Sequence, residues 1–98
     1  MWHLMAYWVY ILHSKKLSKF YTGYTSNLDV RFTFHQNPES RKFTYRADDW
    51  EIFYKIKCQS QKQAIAIESH IKKMKSKTYI QNLKKYPEIS IKLLQKFC

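Results

Sequence analysis

The chain has 98 residues, a length that supports one hydrophobic core. Eighteen Lys and Arg stand against seven Asp and Glu, a formal charge of +11; 17% of the residues are aromatic, and glycine occurs once, at Gly23. Aromatic residues in that number can fill a core, which excludes simple disorder. A single glycine excludes the Gly-rich phosphate loops of P-loop and dinucleotide-binding folds, and the charge points to a polyanionic partner.

Leu4 to Leu12 is apolar enough to imitate the apolar region of a signal peptide, but no basic segment precedes it and no small-residue cleavage site follows. It is too short to span a membrane. Cys58 and Cys98 form no C-x-x-C pair and no zinc spacing with His3, His13, His35 or His70. A cytoplasmic protein with reduced thiols and no membrane partner is the expectation.

Tyr7 to His13 is dense in aromatic and β-branched residues and predicts a buried strand. A basic connection over residues 14–19 leads to a second strand, Phe20 to Thr25, forming an antiparallel hairpin with the first. Gly23 lies inside that strand, where glycine marks a bulge or a close backbone approach. Ser26 or Asn27 then caps a helix, with Asp29 in its first turn and Leu28, Phe32 and His35 on one face; Asn37-Pro38 ends it. Residues 39–49 predict a basic surface loop containing Phe43 and Tyr45, and Trp50 to Cys58 a third strand.

From Gln59 the pattern becomes helical, with Ala64, Ile67, Ile71 and Met74 as the apolar stripe and Lys72, Lys73, Lys75 and Lys77 as the wet side. After Ser76 a short helix turns Tyr79, Ile80, Leu83 and Tyr86 inward and closes at Pro87. Residues 88–97 fit either a helix through Ile91, Leu94 and Phe97 or a strand through Ile89 and Ile91. The order β-β-α-β-α-α predicts an α+β domain over residues 1–98, a small three-stranded antiparallel sheet flanked by helices.

Glu68 is the sole carboxylate between Glu51 and Glu88, in a lysine-rich stretch. It stands beside the apolar stripe, at the edge of a core facing a basic surface, where a Mg²⁺ ion held by one carboxylate and substrate phosphates can sit. The plainer reading is an i,i+4 ion pair with Lys72. Arg31 is bidentate and always charged, suited to a phosphoryl group or simply to a solvated helix face. Tyr10 and Tyr21 are core-sheet aromatics by default, and His35 a helix histidine. Lys42 and Arg46 in the basic loop, with Lys72, Lys73 and Lys75, are candidate nucleic-acid contacts.

Val9-Tyr10-Ile11, Tyr21-Thr22-Gly23, Arg31, His35, Glu68 in a long helix and Asn82 beyond it together resemble the GIY-YIG nuclease family. The likeness is to its small stand-alone members and covers a motif-bearing core of about residues 6–87. Trp8-Val9-Tyr10 stands where the family has Gly-Ile-Tyr, and Tyr21-Thr22-Gly23 where it has Tyr-Ile-Gly; both tyrosines and the second glycine remain. The glycines that small relatives carry after the first helix are absent from Asn37-Pro38-Glu39-Ser40, and Asp48-Asp49-Trp50 lacks their proline, which bears on loop shape and substrate choice.

The resemblance implies a divalent-metal-dependent endonuclease acting on DNA. Glu68 would hold Mg²⁺ or Mn²⁺, Arg31 would neutralise the non-bridging oxygens, and Asn82 would support the site. Tyr10 or Tyr21 would orient or deprotonate the water. A phenol titrates near ~10, so cationic neighbours such as Arg31, His35 and lysines have to favour the phenolate. Gly23 would keep the sheet face clear where the phosphate and tyrosines meet. With so short a chain, selectivity comes from shape, ends or a partner. The alternative is a basic nucleic-acid-binding module of the same fold without useful turnover, and a ribosome- or RNA-associated protein is a third reading.

Overall fold

A computed structural model describes residues 6–28 and 49–98. Three strands, β1 (Tyr7–Ser14), β2 (Lys19–Thr25) and β3 (Glu51–Cys58), form one antiparallel sheet in the order β2-β1-β3. Three helices follow: α1 (Gln61–Met74), α2 (Lys77–Lys85) and α3 (Pro87–Lys96). This is the expected α+β architecture. The helix expected after Ser26 and the loop carrying Phe43 and Tyr45 lie outside the described residues.

The hairpin register pairs Tyr10 with Gly23 and Leu12 with Tyr21. Because side chains alternate along a strand, Tyr10, Leu12, Tyr21 and Gly23 share one face, while Val9, Ile11, Phe20 and Tyr24 occupy the other. The second face carries the main core: Val9, Ile11, Ile56 and Cys58 pack against Ala64, Ile67 and Ile71 of α1, Leu83 of α2 and Leu93 of α3. On the first face Tyr10, Leu12 and Trp50 form a smaller buried cluster, with Leu17, Tyr21 and Leu28 packed against it. Ser14 and Asp49 fasten the β1–β2 turn: the Ser14 hydroxyl donates to Asp49 at 2.6 Å, and the Lys16 N–H donates to the same carboxylate at 3.0 Å.

Local chemistry sets the helix bounds. Ser60 caps α1 by accepting from the Gln63 N–H at 3.1 Å, and the buried Gln63 amide answers by accepting from Gln59 N–H and donating to the Leu94 carbonyl, which ties α1 to α3. Ser76 caps α2 in the same way, accepting from the Tyr79 N–H. Pro87 both stops α2 and starts α3, since a proline at the first turn loses no helical hydrogen bond. The 88–97 segment is therefore helix rather than strand, and the Ser90 hydroxyl meets that of Tyr54 at 2.8 Å.

Three residues expected on apolar faces are exposed; one is Ile91, at 55%, because the buried face of α3 runs through Ser90 and Leu93 instead. Met74 is 44% exposed because it is the last residue of α1, and the chain turns away at Lys75. Tyr86 is equally exposed: it sits between two helices with φ −123° and ψ 89°, so the helical period that turns Leu83 inward does not reach it.

Candidate active site

Tyr10 comes from the central strand and Tyr21 from the edge strand, one step apart on the diagonal, with ring centroids 6.4 Å apart. Tyr10 is buried, and its hydroxyl end lies directly over Gly23. A Cβ built on Gly23 would stand 2.5 Å from the Tyr10 Oη and 2.7 Å from its Cζ. The glycine thus leaves room for the tyrosine itself, a more specific requirement than a clear sheet face. Its φ is not positive, so close approach and not backbone conformation is what calls for glycine here.

Tyr10 also lines a cleft of about 380 Å³ together with Tyr7, Tyr21, Tyr24, Thr25, Ser26, Gln61 and Glu68. These tyrosines belong to opposite faces of the sheet. Only at the edge of a sheet can both faces line one cavity, and among the described strands β2 is at the edge. Helix α1 closes the other side. Ala64, Ile67 and Ile71 fix its buried stripe against the sheet, which leaves Glu68, beside Ile67, at the rim.

Glu68 is 17% exposed and its Oε2 lies 3.2 Å from the Lys72 Nζ, so the i,i+4 pair and the cleft position coexist. Lys72 is more than half exposed. An ion pair of this kind is worth about 0.2–1 kcal/mol, too little to keep the carboxylate from a stronger partner.

The other candidates divide. Lys72 and Lys75 line a second pocket that shares Tyr21 with the cleft. Lys73 lines neither cavity; burial, then Lys96 and Lys73, hold the His70 imidazole below its usual titration range. Asn82 lines neither cavity; its carbonyl accepts from the Tyr86 N–H at the end of α2. Arg31, His35, Lys42 and Arg46 lie outside the described residues.

Tyr7, Tyr24 and Gln61 were not legible as site residues. Tyr24 follows Gly23 and so faces α1, where its hydroxyl accepts from the Gln61 amide at 3.4 Å; strand alternation could have placed it, but only with the helix position known.

The GIY-YIG catalytic domain family matches residues 6–85. The chain belongs to the GIY-YIG family. A UPF0213 protein of Oceanobacillus iheyensis is 34% identical over 68 residues, which cover 69% of this chain and 78% of that relative. No solved structure matches the chain. The GIY-YIG catalytic domain is a nuclease domain, which makes nucleic acid the substrate class, and nucleases with it generally use divalent metal ions. Among the described residues, no helix is long and apolar enough to cross a membrane.

The donor set suits such an ion. Glu68 and the neighbouring hydroxyls are hard oxygen ligands, as Mg²⁺ and Mn²⁺ prefer. Among the described residues no three His, Cys, Asp or Glu side chains gather into a cage. A single carboxylate completed by waters and substrate phosphate is the usual way Mg²⁺ is held in phosphoryl chemistry.

Proposed function

We propose that this protein is a divalent-metal-dependent endonuclease that hydrolyses phosphodiester bonds in DNA. The observation that carries this reading is the convergence of Tyr10, Tyr21 and Glu68, from three separate elements, on one cleft at the sheet edge. Hydrolysis requires an oriented water, neutralisation of the negative charge that builds on phosphorus oxygens, and relief for the leaving 3′ oxygen.

Glu68 would hold Mg²⁺ or Mn²⁺, which supplies charge neutralisation and stabilises the leaving oxygen. The tyrosines supply two hydroxyls that share a cleft with that carboxylate, and one of them takes the proton of the attacking water. Tyr10 is fixed on three sides, by Gly23 beneath it and by Leu12 and Trp50 in its buried cluster. Tyr21 is less buried and stands where the cleft and the lysine-lined pocket meet. Arg31 neutralises the non-bridging oxygens and His35 supports the phenolate. The lysines attract the polyanion without reading its sequence, and two free thiols, Cys58 and Cys98, suit a cytoplasmic setting.

The Glu68–Lys72 pair is the observation that favours the other reading, a binding module without turnover, but its small worth makes it a resting contact. The test is cleavage of plasmid and branched DNA with Mg²⁺ or Mn²⁺ by wild type, Glu68→Ala and Arg31→Ala. Wild-type cleavage, lost in Glu68→Ala while its fold and DNA binding persist, is the expected result. No cleavage of any substrate, or equal cleavage by all three proteins, overturns the proposal.

A further inference from the structure

Beside the cleft, and sharing Tyr21 with it, lies a larger pocket of about 610 Å³ between β2 and the α1–α2 junction. Its lining has two parts. Phe20, Ile71 and Ile80 form an apolar wall, and Lys19, Lys72, Lys75 and Lys77 contribute the charged groups. The Phe20 ring is braced by His13 and Phe53, with centroids 4.6 and 5.0 Å away, so that wall is held in place before any ligand arrives.

The lysines are not equivalent. Lys72 pairs with Glu68, and Lys77 donates to the Ser18 carbonyl at 2.7 Å. Lys19 and Lys75 have no carboxylate partner among the described residues. Lys75 moreover ends α1 in the left-handed conformation, at φ 48° and ψ 41°. Glycine is the residue favoured at such a helix end, because a side chain there is strained. A lysine thus stands at a position where glycine would make the more stable helix terminus.

Apolar wall, unpaired cations and adjacency to the cleft match a nucleotide whose base is free to leave the stack: the base against Phe20, Ile71 and Ile80, its phosphate at Lys19 and Lys75. A base within a duplex is already stacked and presents only backbone to such a pocket. We infer that this pocket binds one unpaired nucleotide next to the scissile phosphate, so that the substrate is DNA with a single-stranded segment flanking the cut. This rests on the nuclease reading above and adds the substrate class to it.

Binding is read by fluorescence anisotropy in EDTA, so that nothing is cut, with a blunt duplex and the same duplex bearing a short single-stranded tail. Wild type binds the tailed DNA about tenfold more tightly, the scale of one stacked base. Lys75→Gly and Lys19→Gln each remove most of that preference and lower the salt dependence of tailed binding by about 0.7 in log–log slope. Lys75→Gly at the same time raises Tm, a gain of stability with loss of binding that a structural role for Lys75 does not produce.

Equal affinity of wild type for the two DNAs overturns the inference, as does an equal loss on both DNAs in the two variants. Parallel assays with Mg²⁺ or Mn²⁺ separate it from the nuclease reading. A tail preference without cleavage overturns the nuclease and leaves the pocket's ligand standing; cleavage without a tail preference does the reverse.

Discussion

Gly23→Ala adds one methyl group and separates two effects of opposite sign. In an ordinary strand interior the change stabilises by about 0.5–1 kcal/mol, since glycine loses the most backbone freedom on folding. Here the new Cβ would meet the Tyr10 Oη at 2.5 Å, Cζ at 2.7 Å and Cε2 at 3.2 Å, whereas carbon contacts settle near ~3.5–4.0 Å. The end of the ring must therefore move by about 1 Å. Tyr10 is 2% exposed and packed against Leu12 and Trp50, so the displacement is resisted. Overpacking of this kind costs about 1–3 kcal/mol, which outweighs the entropic gain.

The net effect is a loss of about 1–2 kcal/mol, and at about 4–8 °C per kcal/mol for a domain this size the fall in Tm is measurable by calorimetry. With Tyr10 as the tyrosine that takes the proton, moving its hydroxyl by this much costs about a hundredfold in the cleavage rate, with DNA binding retained; with Tyr21 in that role the rate changes little. The decisive comparison is the same substitution in a Tyr10→Leu background. A leucine ends at Cδ and cannot reach the positions of Oη and Cζ, so Gly23→Ala there raises Tm instead of lowering it. A higher Tm for Gly23→Ala in the wild-type background, or the same decrement in both backgrounds, refutes the close-approach account of the glycine.

Lys72→Ala frees the Glu68 carboxylate, so the Mg²⁺ concentration giving half-maximal cleavage falls, by up to about fivefold for a pair worth 0.2–1 kcal/mol, while DNA affinity weakens; an unchanged or higher metal requirement contradicts the pairing. His70 titrates low because burial and then Lys96 and Lys73 oppose its charge. Between that lowered value and the unfolded value of about 6.5 the unfolded chain binds more protons, so stability drops as pH falls below about 6.5. The Tm difference between pH 7 and pH 5 should therefore shrink in His70→Gln, and an unaltered difference excludes His70 as the source.

The strands were legible because this chain concentrates aromatic and β-branched residues in them. Glu68 stood out because carboxylates are scarce around it. The helix after Pro87 was ambiguous because Ile89 and Ile91 satisfy a period of two while Ile91, Leu94 and Phe97 satisfy a helical spacing. Met74 and Tyr86 were misplaced because periodicity extrapolates past a helix end, whereas the backbone at Lys75 and Tyr86 does not. Tyr7, Tyr24, Gln61 and Lys19 belong to the cavities for a reason no local pattern contains: strand alternation places Tyr24 and Tyr21 on opposite faces, and only the edge position of β2 joins those faces.

That edge position ties fold to chemistry. Tyr10 lies on the central strand and is almost fully buried, yet it lines the cleft at the sheet edge. Its ring end lies over Gly23 on β2, and among the described residues no further strand pairs with β2; a strand added along that edge would cover the cleft. An open edge ordinarily invites association with other chains, and lysines on or beside it are a common defence. Here Lys19 lies on the strand, and Lys72, Lys75 and Lys77 flank it across the neighbouring pocket. Positive charge that discourages strand pairing also draws phosphate to the same edge, so one arrangement serves solubility and substrate capture together.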